Sequence, residues 1–184
     1  EDLTPLPIPA PPYDGAAIDE LAARLASAKR PMLWLGGGAR HAGDAVRRLV
    51  DMGFGVVTSV QGRGIIPEDH PQTLGAFNMY GCVEDFYGTC DAMLVVGSRL
   101  RGNETLKYKL KLPSPLYQID VDEAAQSGRP YIADHFAQAD SARALDALAD
   151  ALDGKMQIDP AFLADLKATR AEAVTFMRDG LLPY

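Results

Sequence analysis

The strongest constraint on the fold is a set of short apolar runs that end at a breaker. Residues 31–35 read Pro-Met-Leu-Trp-Leu and lead into three glycines at residues 36–38, and residues 92–96 also lead into a glycine. Runs of this length are typical of strands that are buried on both faces. Residues 55–60 and 116–120 show the same pattern, so we expect strands there as well.

Amphipathic helices separate these runs. The spacing of apolar residues predicts helices that begin after Asp14, at Ala42, near Met79, after Asp140 or Ser141, and after Asp159. The last of them carries Phe162, Leu163, Leu166, Ala173 and Met177. Residues 61–73 are expected to form a polar loop and residues 131–133 a weak strand.

Strands that alternate with helices imply crossover connections and a sheet that is covered on both sides. The predicted fold class is therefore α/β: a doubly wound, mostly parallel Rossmann-like sheet with helices on both faces, of the NAD/FAD-binding type.

Composition and charge exclude several functions. The formal net charge of -7 argues against nucleic-acid binding, which normally needs a basic surface. No apolar run approaches the roughly 20 residues that span a membrane, and no signal peptide is visible. Two cysteines, Cys82 and Cys90, are too few for a disulfide framework, and the three histidines lack the spacing of a zinc site. We therefore expect a cytoplasmic protein with free, inert thiols and no nucleic-acid or membrane partner.

Four segments at the predicted strand ends carry groups that could bind a ligand. The glycines at 36–38 would let the backbone approach a phosphate, or would simply allow a strand to pack tightly on a helix. Residues 58–64 and 97–103 supply hydroxyls, an amide and arginines, which could hold a diphosphate or face water in exposed loops. Asp120 could accept from ribose hydroxyls, whereas Asp122 is interpreted first as a helix cap.

The sequence lacks the signatures of several catalytic classes. No carboxylate ends the second predicted strand, where a dinucleotide fold holds the ribose; Thr58 and Ser59 stand there instead, which disfavours classical NAD binding. Neither a Gly-x-Ser-x-Gly nucleophile motif nor a P-loop signature occurs. The acids Asp120 and Asp122 lack further ligands for a metal. We therefore assign no catalytic residue and no metal ligand.

Taken together, these segments resemble the central domain of thiamine-diphosphate-dependent enzymes of the acetolactate-synthase and benzoylformate-decarboxylase type. The resemblance rests on residues 29–38, 56–71, 74–75, 90–99 and 119–122, in the order and at the spacing of that family. Each segment is a weak signal, but the ordered set spans residues 15–150 and is fairly specific.

The resemblance implies that the chain is the middle part of a longer polypeptide. Residues 1–14 would be a proline-rich linker, residues 15–155 the central domain, and residues 156–184 a C-terminal helix and linker toward an absent cofactor-binding domain. The absent flanking domains would hold thiamine diphosphate and Mg²⁺ between the subunits of a homodimer or homotetramer. They would also carry the catalytic residues of a lyase or synthase acting on 2-keto acids or related substrates. We therefore expect no catalysis by this chain alone.

The resemblance also implies a nucleotide site. In acetolactate-synthase-like members the central domain binds FAD, in oxalyl-CoA decarboxylase it binds ADP, and other members bind neither. Carried over by position, the contacts fall at Gly37, Gly38, Ser59, Val60, Gln61, Gly97, Arg99, Asp120, Val121 and Asp140.

Two departures from the family pattern leave the ligand open. Residues 76–81 form a longer turn than the Gly-x-x-Gly that lies near the flavin ring in the family, and Asn103 replaces a second arginine, although Arg101 is close by. Asp140 is in any case a helix cap first and a ribose or base contact second. FAD, ADP and a purely structural domain remain as alternatives, together with an independent nucleotide-binding domain.

Overall fold

The computed structural model describes residues 10–125 and 130–181 of the chain. Its strands are β1 (Pro31–Leu35), β2 (Gly55–Thr58), β3 (Thr73–Gly75), β4 (Ala92–Val96), β5 (Leu116–Asp120) and β6 (His135–Gln138). Its α-helices are α1 (Gly15–Leu25), α2 (Gly43–Asp51), α3 (Gly81–Tyr87), α4 (Ser141–Leu152) and α5 (Phe162–Leu181). Short 3₁₀ turns occupy Gly37–Ala39, Val60–Gly62 and Glu123–Ala125.

The six strands form one sheet in the order β3-β2-β1-β4-β5-β6, and every neighbouring pair is parallel. The chain moves outward from β1 to β3, returns to the centre, and moves outward again from β4 to β6. The direction of winding therefore reverses between β1 and β4, which is the topological switch point of a doubly wound sheet. The predicted fold class is confirmed, and the described sheet is parallel throughout.

Side chains of alternate residues in the central strands pack into two separate hydrophobic cores, one on each face of the sheet. Leu33 and Leu35 of β1 pack with apolar side chains of α1, α2 and α4 on one face. Met32 and Trp34 of the same strand pack with α3 and α5 on the other face. Every residue of β1 and β4 is buried, because helices cover both faces of these strands.

The predicted helix caps hold their helices in place. The Asp14 carboxylate accepts from the Ala17 N–H (3.0 Å) at the start of α1. Asp140, and not Ser141, caps α4, since its carboxylate accepts from the backbone N–H groups of Ala142 and Arg143. Such caps satisfy N–H groups that lack partners within the helix.

Residues 10–14, the part of the predicted proline-rich linker that the structure describes, are attached to the domain. Tyr13 pairs with Ala139 in an antiparallel bridge beside β6, and the Asp14 N–H donates to the Gln138 carbonyl at 2.9 Å. Residues 1–9 of that linker, and residues 182–184 of the predicted C-terminal linker, lie outside the described residues. The proposed domain boundaries remain a prediction.

The sequence predictions fail at the edges of the sheet. The strand expected at residues 131–133 is wrong, because Tyr131 instead turns its hydroxyl toward the Leu110 carbonyl (2.7 Å) and Ile132 is exposed. The strand β6 begins four residues later, after Asp134 has exchanged two hydrogen bonds with the Leu116 backbone. The strand β3 begins at Thr73, the last residue of the predicted polar loop, and the sequence does not predict it. Met177, one of the apolar residues expected on the last helix, is exposed.

Arg30 fastens α5 to the sheet. Its guanidinium binds the carboxylates of Asp159 (2.8 Å) and Asp165 (2.7 Å) and lies 5.3 Å from the centre of the Phe162 ring. Phe162 in turn stacks on Phe86 of α3, with ring centres 5.8 Å apart. An ion pair over stacked aromatic rings thus joins the start of β1 to both helices of this face.

Phe162 and Phe176 lie on the same helix and test this arrangement. Phe162 is fully buried, whereas Phe176 is 69% exposed. We expect Phe162→Ala to lower the free energy of unfolding by about 3–5 kcal/mol, because it opens a cavity in the core. Phe176→Ala is the matched control and should change it by about 1 kcal/mol or less. Denaturant titration followed by circular dichroism measures both, and equal losses would contradict the assignment of Phe162 to the core.

Candidate functional site

A cleft of about 590 Å³ lies at the carboxyl ends of β1, β2, β4 and β5, beside the switch point. Most of the residues predicted from the sequence line it: Gly37, Gly38, Ser59, Val60, Gln61, Gly97, Arg99 and Asp120. It is also lined by Arg40, Ser98, Arg101, Asn103 and Glu104. Four segments that are far apart in sequence therefore meet at one place.

The remaining two predicted residues do not line the cleft. Val121 follows β5 and is 48% exposed. Asp140 directs its carboxylate to the first turn of α4, in agreement with its interpretation as a cap. Arg63, the arginine of the predicted ligand segment 58–64, lies 4.0 Å from Glu68 and outside the cleft lining.

The glycines at the floor of the cleft serve first to pack two strand ends together. The N–H groups of Gly36 and Gly38 donate to the carbonyls of Val96 and Gly97, at 2.9 and 3.0 Å. A Cβ atom on Gly36 would lie 2.2 Å from the Gly97 carbonyl oxygen, and Gly97 itself has a φ of +57. Side chains cannot be accommodated at this crossing.

Gly37 plays a different part. It lies in a single 3₁₀ turn, and the helix α2 begins at Gly43, one residue after the predicted start at Ala42. Its nearest neighbour for a Cβ atom is the Gln61 side chain, at 3.1 Å. Gly37 therefore leaves space on the cleft side, whereas Gly36 and Gly38 leave space for the backbone of the neighbouring strand end.

The wall formed by residues 59–61 is a tight turn. The Ser59 hydroxyl oxygen accepts from the Gly62 N–H at 3.1 Å, so this buried side chain stabilises the turn. The Val60 side chain is 64% exposed, and the Val60 N–H faces the Glu104 carboxylate across the cleft (3.3 Å). This wall offers an apolar surface and a backbone donor.

The opposite wall carries a linked pair of charges. Arg99 donates from Nη2 to Asp122 at 2.7 Å, and the Asp122 N–H donates to the Asp120 carboxylate at 3.1 Å. Partial burial raises the pKa of Asp120 above its ordinary value, and the charge of Asp122 adds to the increase. Asp122 therefore links the Arg99 guanidinium to the Asp120 carboxyl group at the end of β5.

Three arginines line the cleft of an acidic chain. Arg40, Arg99 and Arg101 face two carboxylates, those of Glu104 and Asp120. Such a lining suits an anionic ligand that also carries hydroxyl groups, because guanidinium groups bind phosphates and carboxylates accept from hydroxyls. Of these residues, Arg40 and Glu104 were not predicted as contacts. Arg40 could have been found, since it stands two residues after the last of the three glycines, whereas no sequence signal marks Glu104.

The cysteines and acidic groups elsewhere show no reactive site. Burial raises the pKa of Cys90 to about 12, and it also raises the pKa of the partly buried Cys82, so both favour the thiol form. Both cysteines are free. Within residues 10–125 and 130–181, no group of three or more histidines, cysteines and carboxylates could hold a metal ion.

The two kinds of glycine give a first prediction at the site. We expect Gly36→Ala to lower the free energy of unfolding by about 3 kcal/mol, because the methyl group collides with backbone. Gly37→Ala should cost about 1 kcal/mol or less, because its methyl group would lie 3.1 Å from the Gln61 Cβ, a contact that a shift of a few tenths of an ångström relieves. Thermal and denaturant unfolding of both variants provide the measurement. Similar losses in the free energy of unfolding for Gly36→Ala and Gly37→Ala would contradict the different packing of the two glycines.

The raised pKa of Asp120 gives a second prediction at the site. A carboxyl whose pKa is higher in the folded than in the unfolded chain stabilises the fold below the unfolded value and loses this contribution as pH rises through the folded value. Asp120→Asn removes the charge and keeps an oxygen that can accept from the Asp122 N–H. We expect its unfolding temperature to exceed the wild-type value at neutral pH, and the excess to shrink as the pH falls toward 3.8, the ordinary value for Asp. A difference that is independent of pH would contradict this.

The fold and the cleft together define a class: doubly wound α/β domains with a ligand cleft at the switch point. Comparison of the chain with family models gives the particular family. The model "Thiamine pyrophosphate enzyme, central domain" matches residues 18–148. This is well over half of the chain, and the chain therefore belongs to that family. The resemblance deduced from the sequence is confirmed.

Individual relatives agree with this assignment. A protein of Pseudomonas aeruginosa named as a 2-ketoarginine decarboxylase, AruI, is 35% identical over 107 residues, which are 58% of this chain and 19% of that protein. The large subunit of acetolactate synthase isozyme 1 of Escherichia coli is 30% identical over 119 residues, 62% of this chain and 21% of the subunit. The chain thus spans about a fifth of the length of the curated relatives it matches.

A solved structure supports the fold. An X-ray structure of a Mycobacterium smegmatis enzyme, assigned in its description to the thiamin diphosphate-dependent class, superposes with a TM-score of 0.62 at 26% identity. The match covers 84% of this chain and 32% of the other. In the described part of the chain, no helix is both long enough and apolar enough to cross a membrane.

Proposed function

We propose that this chain is the nucleotide-binding central domain of a longer thiamine-diphosphate-dependent enzyme, and that its cleft takes the ADP moiety shared by ADP and FAD. One observation carries this proposal above all. Segments from four strand ends converge on one cleft that combines arginines, a space-making glycine and a carboxyl group.

The chemistry of the lining fits each part of an ADP moiety. Guanidinium groups of Arg40, Arg99 and Arg101 suit a diphosphate, because they bind its oxygens with paired, charge-assisted hydrogen bonds. Asp120 suits ribose hydroxyls, which donate to a carboxylate. The exposed Val60 side chain offers an apolar contact for a base. The cleft volume of about 590 Å³ lies within the range of small-molecule and cofactor sites.

The residues that the family resemblance links to a flavin ring lie elsewhere. Within the turn at 76–81, Asn78 is buried and donates to the Glu104 backbone carbonyl at 2.6 Å. Tyr80 of the same turn packs edge-on against Phe176 of α5, with ring centres 5.6 Å apart. The turn is held by the Glu104 backbone on one side and by α5 on the other, and none of its residues lines the cleft, so the proposed site favours the nucleotide portion over the flavin ring.

The longer protein is proposed to be a decarboxylase or carboligase acting on 2-keto acids or related substrates. The names of the relatives support this, since they include a 2-ketoarginine decarboxylase and acetolactate synthases. The described residues do not fit Mg²⁺, so thiamine diphosphate and its metal ion are proposed to bind on flanking domains. There thiamine diphosphate would supply the chemistry that stabilises a carbanion. We further propose a cytoplasmic homodimer or homotetramer, to be checked by fractionation and by light scattering of the longer protein.

Nucleotide titration of the 184-residue chain tests the cleft. We expect ADP to bind with measurable heat in calorimetry, and Arg99→Ala to weaken that binding about 10- to 100-fold, because a hydrogen bond to a charged group contributes about 1.5–3 kcal/mol. Arg24→Ala is the matched control: Arg24 forms a comparable exposed ion pair with Glu20 on α1, away from the cleft. FAD is titrated in parallel by its absorbance.

The outcomes separate the alternatives. Binding of ADP and FAD with similar affinity supports recognition of their shared moiety, whereas tighter binding of FAD assigns a role to the flavin ring. If neither ligand binds to a folded chain, the cleft is not a nucleotide site and the domain is structural. Loss of binding in Arg24→Ala equal to that in Arg99→Ala would reject the assignment of the diphosphate to Arg99.

A further inference from the structure

A carboxylate of the chain itself reaches across the candidate cleft. Glu104 lies in the connection between β4 and β5, and its Oε1 accepts from the Val60 N–H at 3.3 Å, on the turn that follows β2. Both residues line the cleft. The contact therefore joins the two walls of the cleft, and it places a negative charge among the groups that line the cleft.

The backbone of Glu104 is held in place from several sides. Its N–H donates to the Arg101 carbonyl at 2.9 Å, and its own carbonyl accepts from Asn78, a buried residue, at 2.6 Å. The next residue, Thr105, is fully buried and donates from its hydroxyl to the Arg101 carbonyl at 2.9 Å. With the backbone fixed, only rotation of the Glu104 side chain can move the carboxylate away from the opposite wall.

The position of this carboxylate has a chemical consequence. It shares the cleft with Arg40, Arg99 and Arg101, the groups that suit phosphate oxygens. It also accepts from a backbone N–H that a phosphate could otherwise use. Each further phosphate strengthens both the attraction by the arginines and the repulsion by Glu104, so the carboxylate offsets the affinity that additional phosphates would otherwise gain.

We propose that Glu104 sets an upper limit on the negative charge of the nucleotide that this cleft accepts. The inference rests on the proposed nucleotide function and deepens it. The carboxylate disfavours nucleoside triphosphates and leaves dinucleotides and nucleoside diphosphates as the preferred ligands. Both of these ligands carry fewer negative charges than a free triphosphate. Glu104 thereby acts as a specificity-determining residue that works by repulsion.

Calorimetric titration of the 184-residue chain with AMP, ADP and ATP tests this limit. Glu104→Gln removes the charge but keeps an oxygen that can accept from the Val60 N–H, and Glu104→Ala removes both. We expect Glu104→Gln to bind ADP about 3- to 10-fold more tightly than the wild type, with a larger gain for ATP and a smaller one for AMP. The gain should diminish as salt is raised, because screening weakens the repulsion.

Glu172→Gln provides the matched control. It makes the same substitution and the same change in net charge, but Glu172 lies on α5 and is not part of the cleft lining. Its affinities for the three nucleotides should equal those of the wild type. Circular dichroism and unfolding temperatures show that all variants are folded before they are compared.

Each outcome bears on one of the two proposals. Equal gains for AMP, ADP and ATP, or a gain in Glu104→Ala without one in Glu104→Gln, would overturn the charge limit, since a steric effect would then explain the data. Weaker binding in Glu104→Gln would also overturn it and would make Glu104 a ligand contact. If no nucleotide binds to the folded wild type or to any variant, the nucleotide function itself fails, and with it the basis for the limit.

Discussion

The cleft depends on how closely the ends of β1 and β4 approach each other. These two strands are neighbours at the point where the winding of the sheet reverses, and their ends are joined by hydrogen bonds from Gly36 and Gly38 to Val96 and Gly97. A side chain at Gly36 would separate them. Because the two chain segments then diverge to opposite sides, a concave surface forms between them, and the loops that follow β2 and β5 close it.

Much of this arrangement could be predicted from the sequence, because the strands that build it are buried on both faces. An uninterrupted apolar run such as Ala92–Val96 has few other interpretations, and the glycine behind it marks the strand end. In a parallel sheet all such ends lie at one edge. The order of the segments therefore also predicts that Ser59, Arg99 and Asp120 lie near one another, and all three line the cleft.

The features that could not be predicted depend on long-range contacts or on short edge strands. The strand β6 reads His-Phe-Ala-Gln, which lacks an apolar run, and β3 has only three residues. The Arg30 ion pairs join residues more than a hundred positions apart, so no local pattern reveals them. Asp140 could serve as a cap or as a ligand contact in the sequence, and only the structure shows that its carboxylate accepts from the first turn of α4. Glu104 lies in an irregular loop whose path the sequence does not define.

The way α5 is fastened has a consequence for its dynamics. Its first turns carry the buried Phe162 and Leu166 and lie beside the Arg30 ion pairs, whereas Phe176 and Met177, farther along, are exposed. Local opening of a helix costs less free energy where fewer buried contacts have to be broken. Local unfolding of α5 should therefore begin at its C-terminal end and proceed toward Phe162. Amide hydrogen exchange would then run as a gradient along one continuous helix, with slow exchange near the sheet and fast exchange toward residue 181.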